Sequence, residues 1–207
     1  MSDATPGRHH ERPLREVLAL FGWAALLAPL GVFLHELGHF AIARALGYDD
    51  VILRAASVAG GARLGEAPAL EVAAQAAGGP LITLLLIAIA WPFLRRRPAP
   101  NWAIAMAATA PLRFLVGGVY LGFTVVLLVT GRERGTPNFD EYNLARGLGL
   151  PLEPLLLAEL LLLLIVWWRI VRTSLAGRRW SGIAALCCGA LIGLFAWLQL
   201  IGPRLLG

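Results

Sequence analysis

Long apolar runs separated by short polar connections are the dominant pattern of this chain. An α-helix needs about 20 mostly apolar residues to cross the roughly 30 Å hydrocarbon core of a bilayer. Apolar runs with little charge cover residues 17–42, 72–94, 101–131, 154–168 and 180–203. The pattern therefore predicts an all-α polytopic membrane protein with about five transmembrane helices.

The third run is too long for one untilted span. Arg113 interrupts it, and Pro111 lacks the N–H group that would continue a helix. We therefore expect a break at Pro111. If the two halves of the run cross the membrane separately, the chain has six spans instead of five.

The connection after the first run predicts a small β-hairpin. Residues 50–54 and 62–64 flank the pair Gly60 and Gly61, and glycine pairs are typical of tight hairpin turns. Two interpretations are open. The segment is either a plain connection or an edge strand to which an extended substrate segment adds.

Composition and charge agree with a membrane location. Hydrophobic residues make up 58% of the chain, and the mean hydropathy is +0.70. The net charge of +5 comes from arginines in short connections, where they anchor the chain at the lipid headgroups. We therefore expect the lipid bilayer as a partner and no nucleic acid. A chain rich in Ala, Gly and Leu with no Lys is typical of GC-rich bacterial genomes, which favours a multi-pass protein of a bacterial inner membrane.

The strongest chemical signal is the sequence HELGH at residues 35–39, late in the first apolar run. At this spacing His35 and His39 lie on one face of a helix, where both can bind one zinc ion. Glu36 is adjacent to that face and can act as a general base toward a water molecule. Ionisable side chains at membrane depth are candidates for function, so the motif predicts a zinc site.

A catalytic zinc site typically takes three protein ligands, so one ligand is still missing. The candidates are the carboxylates of Glu71, Asp140, Glu141 and Glu159. Asp140 and Glu141 lie in a polar turn that leads into a short helix, and Asp140 could instead be a helix N-cap in a solvated loop. Glu159 lies inside an apolar run, where an ion pair with Arg113 would account for both charges.

Two glycines and a proline interrupt the second apolar run at residues 77–81, which read AGGPL. Small residues let a neighbouring helix approach closely, and proline frees backbone groups. The element is either a packing kink or a part of the metal site. We expect it to pack near HELGH, and we expect the last apolar run to be peripheral.

These features together resemble the site-2 protease family of intramembrane zinc metalloproteases. The resemblance rests on HELGH, the hairpin-like connection, the Gly-Pro-Leu element and a later Asp preceded by Pro and Asn, and it covers about residues 17–146. It implies that the Zn²⁺ ligands are His35, His39 and Asp140. It also implies that Glu36 is the general base of a zinc metalloendopeptidase.

The same resemblance assigns substrate positioning to Gly79, Pro80 and Thr83. The chain departs from the family pattern at two positions. The family usually has Gly after its third-ligand Asp, where Glu141 stands here. It also often has Asn three residues after the Pro of the Gly-Pro element, where this chain has Thr83.

The sequence divides into a polar N-terminal tail at residues 1–13, a metalloprotease membrane core at residues 14–146 and C-terminal transmembrane helices at residues 147–207. The implied function is hydrolysis of peptide bonds in or next to transmembrane segments of other membrane proteins. One alternative is a metal-binding transporter or sensor, which would need further ligands along a path. The other is a non-catalytic membrane interaction protein, which would not require Glu36.

Overall fold

Apolar helices make up most of the computed structural model, which describes residues 8–132, 139–175 and 179–206, with side chains from Leu14 onward. In these ranges, five helical stretches are long and apolar enough to cross a membrane. They are Leu14–Ala45, Ala69–Leu94, Asn101–Val129, Leu152–Ser174 and Arg179–Leu206. Their number and composition suggest a membrane protein, as the sequence pattern predicts.

The regular elements follow the predicted order. The helices are α1 (Arg8–Ala45), α2 (Ala69–Leu94), α3 (Asn101–Thr109), α4 (Phe114–Val129), α5 (Asp140–Leu148), α6 (Leu152–Arg169), α7 (Arg179–Ala196) and α8 (Gly202–Leu206). π-Helical turns follow α6 and α7 at Ile170–Ser174 and Trp197–Ile201. Helix α1 begins inside the stretch that was expected to be a polar tail.

The predicted break at Pro111 is confirmed. A 3₁₀ turn at Ala110–Arg113 separates α3 from α4, with the proline in its first turn. Proline has no N–H to donate, so the regular α-helical hydrogen bonding is interrupted there. The break places the side chain of Arg113 beside the polar cluster described below, in the middle of an otherwise apolar stretch.

Helix α1 is the centre of the bundle and packs against α2, α3 and α7. At the crossing of α1 and α2, a Cβ on Gly38 would overlap the backbone of Gly78, and a Cβ on Gly78 would overlap the backbone of Gly38. The two backbones touch because both positions lack a side chain. This close approach brings α2 directly against the HELGH motif.

Helix α7 also packs tightly along α1. A Cβ on Gly189 would overlap the backbone of Phe21, and one on Gly193 would overlap the backbone of Ala25. The expectation that the last apolar run is peripheral is therefore wrong. The spacing of these glycines, four residues apart on one helix face, is the sequence signal for this interface.

The apolar core lies toward one end of the bundle. Its members on α1 are Leu20, Ala24 and Leu27, which all precede HELGH, and they pack with buried side chains such as Phe114 and Leu186. The opposite part of α1 carries buried polar groups instead, among them His35 and Glu36. Burial of polar groups there requires partners, which the neighbouring helices supply.

The predicted hairpin is present, but its turn is not where the sequence placed it. Strands β1 (Ile52–Leu53) and β2 (Val58–Ala59) pair antiparallel. The N–H of Arg54 donates to the carbonyl of Ser57 at 2.9 Å, which closes the turn between the strands. The second strand therefore precedes the glycine pair, and the expected strand at residues 62–64 is wrong.

Gly60 and Gly61 direct the chain out of the hairpin toward α2. Both have positive φ, +83° and +80°, a conformation that glycine adopts without steric cost. The side-chain Oε1 of Gln75 on α2 then accepts a hydrogen bond from the N–H of Ala62 at 2.7 Å. The glycine pair thus fixes the hairpin against α2.

The hairpin turn is also held from the C-terminal side. The indole Nε1–H of Trp197 donates to the carbonyl of Ala55 at 2.8 Å. The same indole makes an edge-to-face contact with Phe33 on α1, with 5.9 Å between ring centroids. The two-residue strands are therefore supported by the helices on both sides, as so short a hairpin requires.

Candidate metal centre

Two side chains of α1 and one from a distant part of the chain converge beside the crossing of α1 and α2. His35 and His39 lie one turn apart on α1, and Asp140 is the first residue of α5. The two Nε2 atoms are 3.2 Å apart. Oδ2 of Asp140 is 2.9 Å from Nε2 of His35 and 3.1 Å from Nε2 of His39. These three groups could hold a metal ion.

Helix α2 orients both imidazoles from behind. Nδ1 of His39 lies 2.7 Å from the carbonyl oxygen of Gln75. A carbonyl oxygen only accepts hydrogen bonds, so Nδ1 of His39 carries the proton. The N–H of Gly79 also points to Nδ1, but at 3.4 Å this contact is much longer and does not decide the tautomer. Nδ1 of His35 lies 3.0 Å from Oγ1 of Thr83. Such partners on the outer nitrogen are typical of histidines that bind metal through Nε2.

Atoms that can accept a hydrogen bond or bind a metal meet at the centre of the cluster. With Nδ1 protonated, neutral His39 presents a lone pair at Nε2, and it faces Nε2 of His35 and the carboxylate of Asp140. Burial works to raise the pKa of Asp140, but contact with the imidazole nitrogens of His35 and then of His39 holds it below its usual range. Asp140 is therefore ionised, and either the proton of His35 on Nε2 or a metal ion must lie among these acceptors.

The spacing of the three atoms is close to that of a tetrahedral metal site. Zinc binds imidazole nitrogen and carboxylate oxygen at about 2.0–2.2 Å in tetrahedral geometry, which sets ligand atoms about 3.3–3.5 Å apart. The observed separations of 2.9, 3.1 and 3.2 Å are slightly shorter. Two nitrogens and one carboxylate oxygen are also a ligand set that catalytic zinc sites use.

Of the four carboxylates considered from the sequence, Asp140 is the one that the described part of the chain brings to the histidines. Glu71 instead accepts a hydrogen bond from the hydroxyl of Tyr48 at 2.6 Å. The alternative that Asp140 is a helix N-cap is wrong. The N-cap position of α5 belongs to Phe139, and no side chain caps that helix. The residues expected to shape this turn, Pro137 and Asn138, lie outside the described residues.

The expected ion pair between Glu159 and Arg113 is wrong. The carboxyl group of Glu159 on α6 is hydrogen-bonded to that of Glu141 on α5. Burial raises the pKa of Glu141, so this pair holds a proton between its two acids. Helix α5 supplies Glu141 as the partner of Glu159, and Arg113 is left to contact the metal centre.

Arg113 contacts two of the three candidate ligands, and Glu36 beside them, through one nitrogen. Its Nη2 lies 3.3 Å from Oδ2 of Asp140 and 3.3 Å from Nε2 of His35. It also lies 3.5 Å from Oε1 of Glu36. Sequence reasoning missed this role. The available signal was an arginine next to a helix-breaking proline inside an apolar run, where a charge needs a partner.

Glu36 is buried, with 4% of its surface exposed, yet it does not belong to the ligand group. Its side chain borders a cavity of about 670 Å³ that His39 and Asp140 also line. The carboxylate is therefore close to the metal centre and in contact with the space from which water would approach. This is the arrangement that a general base requires.

The cavity lies between the hairpin, α2 and α5. Its lining includes hairpin residues Ser57 and Val58, and it includes Gln75 and Asn143, two of the three side chains expected to line a polar path for water. The third, Asn138, lies outside the described residues. A cavity of this size accommodates several waters or a short peptide segment.

The Gly-Pro element packs against HELGH, as expected. A Cβ on Gly79 would overlap Nε2 of both histidines, so this position tolerates no side chain while the rings keep their places. Pro80 is buried beside it, and Thr83 contacts His35. Gly79, Pro80 and Thr83 do not belong to the cavity lining in the described part of the chain, and their role in substrate positioning stays a prediction.

Comparison with protein-family models, curated proteins and solved structures finds no match to this chain. The chemistry of the metal centre is therefore inferred from its own side chains.

Proposed function

We propose that this chain is an intramembrane zinc metalloprotease of the site-2 protease type. Its substrates are other membrane proteins, cut in or next to their transmembrane segments. One observation carries the proposal. His35, His39 and Asp140 converge with Glu36 beside them, and both histidines and Glu36 belong to a helix that is long and apolar enough to cross a membrane.

The donor set supports zinc as the metal. His35, His39 and Asp140 would hold it, and three protein ligands leave a fourth position open, as catalytic zinc sites do. When bound there, zinc lowers the pKa of a coordinated water and polarises a substrate carbonyl.

The chain's own residues account for the proton transfers. Glu36 takes a proton from the attacking water, whose oxygen adds to the carbonyl carbon while the π electrons move to the carbonyl oxygen. The carbon–nitrogen bond then breaks, and Glu36 passes the proton to the leaving amine nitrogen. Burial of Glu36 at the edge of the cavity supports this role, as does its Oε1, which lies 3.5 Å from the same Arg113 nitrogen that contacts Asp140.

The cavity supports a peptide substrate. Hydrolysis requires an extended backbone, and the hairpin residues Ser57 and Val58 form one wall of the cavity next to Glu36. A substrate segment that is unwound from its helix can pair with such an edge through main-chain hydrogen bonds. The length and apolar composition of the helices fit a lipid bilayer. The composition of the chain favours the inner membrane of a bacterium.

The rival functions have less support. A transporter or sensor needs metal ligands along a path, and the described residues contain one group of three ligands. A non-catalytic interaction protein gives no reason for burying Glu36 beside a cavity at a cost in desolvation.

A reconstituted cleavage assay tests the proposal. The purified protein is placed in liposomes with reporter proteins that each carry one transmembrane segment. Treatment with a zinc chelator should stop cleavage, and added Zn²⁺ should restore it, with about one zinc per chain measured in the active sample. A protein that holds no zinc after mild extraction and cuts none of the reporters would contradict the proposal.

A further inference from the structure

Arg113 is the one cationic side chain in the described residues that contacts the candidate metal centre. The 3₁₀ turn between α3 and α4 holds it there, because Pro111 ends the regular α-helix two residues earlier. The side chain is 35% exposed and lines the cavity. Its charge therefore lies at the boundary between the cluster and the space that a substrate would occupy.

The guanidinium group has N–H donors that no described residue uses. Its Nη2 makes all the contacts with His35, Glu36 and Asp140. Nη1 and Nε carry three further N–H groups. No residue that the structure describes accepts a hydrogen bond from them. Arg113 can therefore keep its contacts with Glu36 and Asp140 and donate to a substrate oxygen at the same time.

Formal charges favour an anion at this place. Glu36 and Asp140 contribute two negative charges, which Zn²⁺ in the centre would cancel. Arg113 then leaves the site with one net positive charge. Hydrolysis of a peptide bond develops one negative charge on the carbonyl oxygen, and a fixed positive group at that position stabilises the transition state more than the neutral substrate.

Of the three residues that the family resemblance assigns to substrate positioning, Thr83 alone has a polar side chain, and its place in the structure does not suit this contact. Oγ1 of Thr83 lies 3.0 Å from Nδ1 of His35, and the residue is 2% exposed. It lies behind the histidine and outside the described cavity lining. The cavity does contain a second arginine, Arg63, but no contact joins it to the cluster in the described residues.

We propose that Arg113 is a catalytic residue that donates hydrogen bonds to the carbonyl oxygen of the scissile peptide bond. The inference rests on the proposed proteolytic function. As the water oxygen bonds to the carbonyl carbon, the π electron pair moves to the carbonyl oxygen, and the guanidinium group stabilises that charge without transferring a proton. Glu36 carries the water proton to the amine nitrogen, so the step needs no further reactant.

The test compares Arg113→Gln and Arg113→Lys with Arg96→Gln, which removes a charge next to Phe93, beyond the end of α2 and outside the described cavity lining. Zinc content, kcat and KM are measured for each variant in liposomes. We expect Arg113→Gln to keep its zinc and its KM and to lose about 100- to 1,000-fold in kcat, the usual effect of removing one donor to a developing oxyanion. Arg96→Gln should keep its kcat.

Two further measurements separate this role from a purely structural one. A phosphinic peptide, which mimics the tetrahedral transition state, should bind Arg113→Gln at least tenfold more weakly than wild type, while the unreactive parent peptide binds both equally. Added guanidinium ion should restore part of the kcat of Arg113→Ala and should not affect Arg96→Ala.

The outcomes distinguish this inference from the proposed function. If wild type and Arg113→Gln cut the reporters equally fast, the inference is overturned, and the proposed proteolytic function is still supported. Loss of zinc in Arg113→Gln, together with full kcat in Arg113→Lys, also overturns it, because Arg113 would then only balance the charge of Asp140. A wild type that holds no zinc and cuts nothing overturns both.

Discussion

Replacing Thr83 by valine tests how helix α2 prepares the metal centre. The side chain is 2% exposed, and its Oγ1 lies 3.0 Å from Nδ1 of His35. Valine has nearly the same shape but no hydroxyl. In the metal-bound form, Nε2 of His35 must present a lone pair, so the proton is on Nδ1 and loses its acceptor in the variant.

The size of the effect follows from this unpaired N–H. Leaving a buried donor without a partner costs about 1–3 kcal/mol. Without metal, His35 avoids the cost by moving its proton to Nε2, which faces Asp140 at 2.9 Å. The penalty therefore appears in metal binding and not in the stability of the metal-free protein. At about 1.4 kcal/mol per tenfold, zinc affinity should fall by roughly 10- to 100-fold, the range found for outer partners of metal-binding histidines.

The assay is competition for zinc with a chromophoric chelator in detergent, combined with thermal unfolding of the metal-free protein. Thr83→Ser keeps the hydroxyl and should bind zinc within about threefold of wild type. Thr124→Val is the matched control, since Thr124 is 5% exposed and its Oγ1 has no partner in the described residues. Equal zinc affinity of Thr83→Val and wild type would refute the orienting role of this contact.

Three further predictions concern the ligands and the helix contacts. Asp140→Ala should lose zinc and cleavage while Glu141→Ala keeps its zinc, and metal analysis with the opposite result would identify Glu141 as the ligand. Gly79→Ala should weaken zinc binding by at least tenfold, because the added Cβ overlaps both imidazoles. Gly122→Ala has open space around it and should bind zinc normally, and equal zinc affinities of the two variants would refute the contact between Gly79 and the histidines. Gly193→Ala should destabilise the protein by about 1–3 kcal/mol in thermal unfolding, and an unchanged Tm would contradict the α1–α7 contact.

Local periodicity explains what could be predicted from the sequence. The positions of the apolar runs follow from hydropathy, and the pairing of His35 with His39 follows from the 3.6-residue repeat of a helix. The break at Pro111 follows from the chemistry of proline alone. Each of these predictions depends on neighbours in the chain, and each agrees with the structure.

The third ligand and the partner of Arg113 could not be predicted, because both depend on contacts between distant segments of the chain. Both Asp140 and Glu141 were candidates, and only the packing of α5 against α2 brings the first of them to the histidines. Arg113 was expected to pair with Glu159, but Glu141 reaches that acid instead. Spacing along the chain contains no information on which of several buried charges will meet.

The hairpin shows the same limit on a smaller scale. Its existence was predicted from the glycine pair at positions 60 and 61, but the turn is closed by Arg54 and Ser57. The positive φ values of the glycines instead let the chain bend toward Gln75 on α2 after the hairpin. Glycine marks unusual backbone geometry, and only the tertiary contacts show which bend that geometry serves.

The central claim is that Glu36 acts on water at a zinc centre formed by His35, His39 and Asp140. Glu36→Gln tests it most directly, because the amide keeps the size of the side chain and removes the base. The account predicts about one zinc per chain in both wild type and variant, and a loss of reporter cleavage of at least 1,000-fold, in line with removal of an essential general base. Cleavage by Glu36→Gln at the wild-type rate, with zinc retained, would contradict it.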